Sequence, residues 1–342
     1  MVKPRLCFVG PMVGRSGKRV STQGEKLADL FRAAGYPVRE VSEAQNRWIR
    51  LGDIIATLVR ERRRIDLVVI FTYGGRAFVS ADCASWIARR ARLPTILSLH
   101  GGGLPELMTR YPRWTRRVLR RGRRIVVQSP FIGRAVTAQG FDPIVIPNLL
   151  ELSHRHRLRQ RVEPRIFWMR AFHAIYNPLL AVRAFGELRK THPHATLVMA
   201  GPDMGLQAQV QALTRELNLD NAITFPGFLD AAGKRQHFDE ADIFLHSNRV
   251  DNRPLSVVEA GACGLPVVAT DVGGLRDLLT HEHTGLLVPP DDPRAMAAAL
   301  RRLLEDASLA ASLSANGKLL ADASSPDRVQ PQWERVIAEA LA

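Results

Sequence analysis

The sequence predicts an α/β protein made of two doubly wound parallel-sheet domains. Two observations carry this prediction. Short apolar runs alternate with stretches whose apolar residues recur three and four apart, the pattern of buried strands joined by amphipathic helices. That rhythm breaks once, between Pro147-Asn148 and Pro164, and then restarts. The length of 342 residues suits two domains of about 150 residues each.

In the first half, strands are predicted at Leu6–Gly10, Val38–Val41, Leu67–Phe71, Thr95–Leu99, Ile125–Gln128 and Ile144–Ile146. The opening apolar run is too short for a signal peptide and ends at Gly10-Pro11, so it reads as the first buried strand. Helical spacing covers Thr22–Ala34, Trp48–Arg63, Val79–Arg92, Pro112–Arg121 and Phe131–Gln139. Alternation of this kind implies a parallel sheet with helices on both faces. The break contains the polar run "HRHRLRQRVEP" and reads as an interdomain connection.

Beyond it, strands are predicted at Ile166–Met169, Thr196–Ala200, Ile223–Phe225, Ile243–His246, Val267–Thr270 and Gly285–Val288. Helices fall at Pro178–Lys190, Leu206–Leu217, Ala231–Glu240, Leu255–Cys263 and Pro293–Glu305, with Leu309–Ala323 and Asp327–Ala340 ending the chain. The domains expected are 1–150 and 151–325, with 326–342 as a terminal helix that crosses back to pack on the first domain. Two doubly wound domains bring two carboxyl-end crevices face to face, and a ligand is expected in the cleft between them.

Composition narrows the function classes. With 46% hydrophobic and 24% charged residues and no low-complexity stretch, the chain reads as folded and soluble. No apolar run approaches the roughly 18 residues that span a bilayer. Cys7, Cys83 and Cys263 are odd in number and widely spaced, which fits reduced thiols in a cytoplasmic protein rather than a disulfide framework or a metal knuckle. The net charge of +15 is uneven: residues 1–150 carry 27 Lys/Arg against 10 Asp/Glu, and the remainder carries 21 against 23. The two halves therefore meet different partners.

The stretch "HSNRVDNRPLSVVEAGACGLPVVATD", His246 to Asp271, reads as strand, loop, helix, Gly turn, strand. Pro254 suits a first helical turn. The amides of Leu255, Ser256 and Val257 would then face an anion. Asp251 in the loop and Glu259 on the helix could bracket a nucleotide sugar through its hydroxyl pairs. On spacing alone they could equally be a solvated cap and a surface charge.

The longer stretch "DNRPLSVVEAGACGLPVVATDVGGLRDLL…TGLLVP" closely resembles the donor-binding core of glycosyltransferase family 4, retaining group 1 enzymes of the GT-B fold. Glu259-Ala260, Ala262, Gly264, Pro266-Val267-Val268, Gly273-Gly274 and Gly285-Leu286-Leu287-Val288-Pro289 carry the resemblance. It implies that Glu259 holds the ribose hydroxyls and that Asp251 contacts the donor sugar. Asp251 stands where the family more often has Glu, one methylene longer.

The resemblance extends over most of the chain. "GPMVGRSGKRVSTQGEKLADLF" is similar to the family's first loop, which implies that Gly14 and Gly17 lie near the donor phosphates; a plain strand-to-helix turn is the alternative. It is not a Walker A loop, because Met12 and Arg19 stand where that pattern needs Gly and Ser or Thr. "ILSLHGG" puts His100 at a strand's carboxyl end, where a family His lies beside the reacting centre. "RIFWMRAFHAIYNP" resembles the segment opening the donor domain, which implies that Arg170 holds the diphosphate. The family's usual Lys is missing; Ile175, Tyr176 and Asn177 occupy its place, with His173 and Arg253 as other cations. Gly201 in "MAGPD" and Gly227-Phe228 in "FPGFLD" resemble loops that hold base and ribose, or are ordinary strand-end turns.

The activity implied is transfer of a hexose-type sugar from a nucleotide-diphosphate sugar to a hydroxyl acceptor, with retention and with catalytic roles for His100, Asp251 and Arg170. No Asp-x-Asp motif and no ligand-spaced His/Cys cluster is present, so neither a metal nor a cofactor is expected beyond the donor as co-substrate. A silent relative that only binds, or a nucleotide-sugar isomerase or epimerase on the same plan, remains the alternative. In "PRWTRRVLRRGRRI", Arg113, Arg116, Arg117, Arg120 and Arg124 recur at helical spacing. They form either a solvated face or a contact for an anionic membrane surface or a lipid-linked acceptor. A nucleic-acid partner is disfavoured because no binding motif or aromatic stacking platform is visible.

Overall fold

The computed structural model describes residues 3–14, 21–150 and 156–342. The chain divides into two compact units, Met1–Glu151 with Ser324–Ala342, and Leu152–Ala323. Gly17, expected in the first loop, lies outside the described residues.

The first unit holds strands β1 (Leu6–Val9), β2 (Val38–Val41), β3 (Leu67–Tyr73), β4 (Thr95–His100), β5 (Arg124–Val127) and β6 (Ile144–Val145), all parallel in the order β2-β1-β3-β4-β5-β6. Along β3, Leu67, Val69 and Phe71 point to one core, and Val68 and Ile70 to the other. Both faces are covered, which is why the strand reads as one continuous apolar run. The helices Arg47–Arg60, Phe78–Arg90 and Pro112–Leu119 cover one face. Helix Gln23–Ala33 and the terminal helix Pro326–Leu341 cover the other, where Val329, Trp333, Val336 and Ile337 pack with Phe8, Phe31 and Leu67.

The second unit holds β7 (Arg165–Met169), β8 (Thr196–Ala200), β9 (Ile223–Gly227), β10 (Ile243–His246), β11 (Val267–Thr270) and β12 (Leu286–Val288), parallel in the order β12-β11-β10-β7-β8-β9. Its strand order reverses direction between β7 and β10, so their carboxyl ends form a topological switch point, the usual ligand position on such sheets.

Three expectations change. The polar run before Pro164 is more than a connection. Arg159 is buried in the second unit, donating to the carbonyls of Cys263 at 2.5 Å, Phe238 at 3.0 Å and Ala241 at 2.8 Å. Burial lowers its pKa to about 10; the three carbonyls offset the loss of water. The Arg-rich helix ends at Leu119, and Arg124 instead opens β5 and pairs with Glu339 of the terminal helix at 3.0 Å. Arg124 therefore does not share a helix face with Arg113, Arg116, Arg117 and Arg120. A short helix at Leu104–Arg110 also went unpredicted, because the glycines before it hide its start.

Candidate functional site

The switch point of the second unit gathers the charged residues. Arg170 follows β7 directly, His246 closes β10, and Asp251 lies in the loop beyond it. Asp251 Oδ2 accepts from Arg170 Nη2 at 2.5 Å and Asn248 Nδ2 at 2.6 Å, with His246 Nε2 at 3.4 Å. Asp251 Oδ1 accepts from the amide of Asn252 at 2.8 Å. Burial alone would raise the Asp251 carboxyl, but Arg170 and His246 outweigh it and hold the pKa at about 2. Burial likewise lowers the pKa of His246, against the pull of Asp251, so its imidazole is neutral at pH 7.

The loop is braced from several sides. Thr270 of β11 donates to the Asn248 carbonyl at 2.5 Å, and the Gly274 amide donates to the Asp251 carbonyl at 3.0 Å. Gly273 has a φ of +53°, and a Cβ there would lie 2.2 Å from the Asp251 carbonyl oxygen; at Gly274 it would lie 1.9 Å from that of Asn252. The double glycine of the motif is therefore required by the close backbone approach that sets Asp251. Arg170 is held from the other side by Tyr176, whose ring lies 5.2 Å from the guanidinium carbon.

Glu259 is buried on helix Leu255–Ala262, and its Oε1 accepts from Lys234 Nζ at 2.5 Å. Each motif carboxylate thus has its own cation. Pro254 caps this helix rather than lying inside its first turn, and no side chain caps the terminus. The Val257 amide donates to the Pro254 carbonyl at 3.2 Å, so it is not the free N–H that was expected there. Arg170 Nε, His246 Nδ1, Asn248 Oδ1 and Ser256 Oγ are buried polar atoms with no hydrogen-bond partner among the described residues. Such groups cost about 1–3 kcal/mol each when left unmade, and their concentration at one sheet end marks a ligand site.

Gly201 follows β8 and Gly227 ends β9, with φ values of +147° and +76°, and the Gly201 amide donates to the Gly227 carbonyl at 2.8 Å. A Cβ on Gly201 would lie 1.9 Å from the Arg170 carbonyl oxygen, so that glycine sets the turn after β7. Phe228 is exposed beside them. Arg170, Gly201, Asp251 and the start of the 255–262 helix thus cluster around adjacent strand ends.

The first unit contributes separately. His100 ends β4 and is buried between the rings of Phe71 and Tyr73, at centroid distances of 5.4 and 5.5 Å. Its Nε2 lies 2.9 Å from Ser98 Oγ and 3.3 Å from Gln128 Nε2. Burial lowers its pKa to about 3, so it offers a neutral hydrogen-bonding ring rather than a charge. The Gly14 amide donates to Glu25 Oε1 at 2.8 Å, and Glu25 also closes the capping box of helix Gln23–Ala33. Gly14 thus serves at least the turn into that helix; its Cβ would lie 2.5 Å from the Ser21 Cα.

His246 and Lys234 are among the residues of the site not singled out from the sequence. His246 carried a usable signal, a histidine ending a strand before Ser247-Asn248. Lys234 carried none, since it reaches Glu259 from a helix 25 residues earlier. Among the described residues no group of three or more His, Cys, Asp or Glu side chains could hold a metal ion.

Residues 154–320 match the family described as Glycosyl transferases group 1, and residues 19–148 match the Glycosyl transferase 4-like domain. A D-inositol 3-phosphate glycosyltransferase of Kineococcus radiotolerans is 36% identical over 145 residues, covering 38% of this chain and 33% of that protein. A Rhizobium meliloti lipopolysaccharide core biosynthesis mannosyltransferase is 33% identical over 119 residues, covering 34% and 33%. The matched parts therefore span about a third of these relatives. Among solved structures, sucrose-phosphate synthase of Thermosynechococcus elongatus superposes with a TM-score of 0.83 at 18% identity, covering 98% of this chain and 99% of that one. Anabaena HepE in complex with UDP and glucose gives 0.77 at 17%, covering 98% and 100%. At these identities the structural likeness establishes the GT-B fold.

Proposed function

Because this chain belongs to the group 1 glycosyltransferases, we propose that it is a retaining enzyme moving a hexose-type sugar from a uridine or guanosine diphosphate sugar to a hydroxyl acceptor. The acceptor is a glycan or lipid-linked glycan in cell-surface polysaccharide or glycolipid synthesis. The observation that carries this reading is the pair of motif carboxylates at the switch point, Asp251 with Arg170 and Glu259 with Lys234. Solved structures of the same fold that hold UDP or UDP-glucose support the choice of donor.

In this reading Glu259 takes the ribose hydroxyls and Lys234 is released from it. Arg170 and the terminus at Leu255-Ser256 take the diphosphate, which competes with Asp251 for the guanidinium. The acceptor oxygen forms its bond to the anomeric carbon as the bond to the β-phosphate breaks on the same face. The departing phosphate oxygen receives the acceptor's proton. The protein's contribution is positioning and stabilisation of charge on the leaving diphosphate. Asp251 positions the sugar, and the diphosphate charge needs no divalent ion or cofactor.

A second reading, a silent binding protein, draws on the closed Arg170–Asp251 pair and the missing Lys near Tyr176. Titration calorimetry with UDP and GDP, followed by donor turnover with an extract of candidate acceptors, separates the two. Binding with turnover supports the enzyme; binding without turnover under every acceptor supports the silent protein. Absence of nucleotide binding overturns both. The one-signed charge of residues 1–150 serves, in the same reading, an anionic surface on the cytoplasmic side of a membrane, reached through Arg113, Arg116, Arg117 and Arg120.

A further inference from the structure

Helix Arg47–Arg60 is apolar on two sides. Ile54 and Leu58 pack into the core of the first unit. On the opposite side Trp48, Ile55 and Val59 follow one another at helical spacing with Gly52 between them, and they are 66%, 39% and 51% exposed. Ile49 beside them is 64% exposed. Asn46 caps the helix, its side chain accepting from the Trp48 amide at 2.8 Å, so the stripe begins on a fixed turn. The neighbouring helix Phe78–Arg90 adds Trp86, 49% exposed, to the same face of the unit. One exposed apolar residue is ordinary, but a stripe of this length left exposed among the described residues marks an interaction surface.

Charge selects the occupant. Residues 47–64 carry six Arg against Asp53 and Glu61, and Glu61 is already paired with Arg39. Arg47 lies over the Trp48 ring and Arg90 over Trp86, each with its guanidinium carbon 5.1 Å from the centroid. Tryptophan and aliphatic residues bordered by arginine suit the boundary between headgroups and acyl chains. A second copy of this chain would bring the same arginines against these, at a cost in like-charge repulsion. A nucleic acid would leave Ile55 and Val59 without a role. Among the described residues no helix is long and apolar enough to cross a membrane, so the contact is interfacial.

We propose that the outward side of helix Arg47–Arg60, with Trp86 beside it, docks the protein on an anionic lipid bilayer, with Trp48, Ile55 and Val59 entering the interface and the arginines meeting headgroups. This rests on the anionic-surface reading above and adds to the charge of Arg113, Arg116 and Arg120 an apolar anchor on a different helix.

Co-sedimentation of the full chain with vesicles of phosphatidylglycerol and phosphatidylcholine, and with phosphatidylcholine alone, tests it. The wild type is expected to bind the acidic vesicles and leave the neutral ones. Trp48→Ser/Ile55→Ser/Val59→Ser should weaken acidic-vesicle binding by about tenfold or more, since each buried apolar group adds to interfacial affinity. UDP or GDP binding should be unchanged, which also shows that the variant is folded. Arg113→Glu/Arg116→Glu/Arg120→Glu should weaken binding in a salt-dependent way. If the serine variant binds like the wild type while the glutamate variant does not, the apolar anchor is overturned and the anionic-surface reading stands. Equal binding of the wild type to both vesicles, or to neither, overturns both. A wild-type dimer that the serine variant abolishes would assign the stripe to self-association and overturn the docking proposal.

Discussion

Asp251 is held by a guanidinium, side-chain and backbone amides and an imidazole before any ligand arrives, while Glu259 is held by a single lysine. Their substitutions should therefore differ. Glu259→Ala is expected to weaken nucleotide binding by about 1–3 kcal/mol, the loss typical of charged hydrogen bonds. Asp251→Ala should lower turnover more than nucleotide affinity, because it frees Arg170 and removes the sugar contact proposed above. Calorimetry and donor turnover on the two variants check the difference; variants that both bind and react like the wild type would move the site elsewhere. His100 gives a pH prediction. Its folded pKa of about 3 lies below the ordinary 6.5, so between these values the unfolded chain binds the extra proton. Stability attributable to neutral His100 is complete above about pH 6.5 and falls as pH drops towards 3, by about 1.4 kcal/mol per pH unit. Urea unfolding of His100→Gln between pH 7 and 5 should show a shallower decline than the wild type. An identical slope would mean that the ring is solvated.

At the scale of elements, close glycine contacts fix how the motif helix lies. Gly261 on helix Leu255–Ala262 meets Gly317 on helix Ala307–Asp322, and a Cβ on Gly261 would lie 2.6 Å from the Gly317 carbonyl oxygen. Gly261→Ala should cost about 1–3 kcal/mol through overpacking and shift Glu259 with its helix, read as a lower melting temperature together with weaker nucleotide binding. The terminal helix Pro326–Leu341 buries Trp333 among Phe31, Leu67 and Val69, so Trp333→Ala should cost about 3–5 kcal/mol. Denaturant unfolding measures this; a loss below about 1 kcal/mol would mean that the helix is dispensable. Element positions were legible because buried parallel strands are short apolar runs bounded by turns. Less legible was the helix Leu104–Arg110, which follows three glycines. Arg124 was misread for a different reason: arginine spacing continued at a helical period past Leu119 after the helix itself had ended.

For the whole molecule, charge and chemistry are divided between the units. The two motif carboxylates and their cations lie in the near-neutral second half, and the excess of arginine lies in residues 1–150. Transfer that depends on Arg170 and a helix terminus for the diphosphate should persist in excess chelator, measured as donor turnover with and without it. A strict need for an added divalent ion would overturn that account of the diphosphate. The sequence by itself determined the two doubly wound domains, because hydrophobic period and turn residues are local properties. It also located Asp251, Glu259 and the paired glycines, because a motif that wraps one strand, loop and helix stays contiguous. Only the tertiary structure decided which cation each carboxylate holds. Arg170 and Lys234 reach Asp251 and Glu259 from other elements, and salt bridges between distant segments leave no periodic trace in the chain. The same holds for the outward stripe of helix Arg47–Arg60: apolar residues on both sides of a helix read alike until packing covers one side and leaves the other exposed.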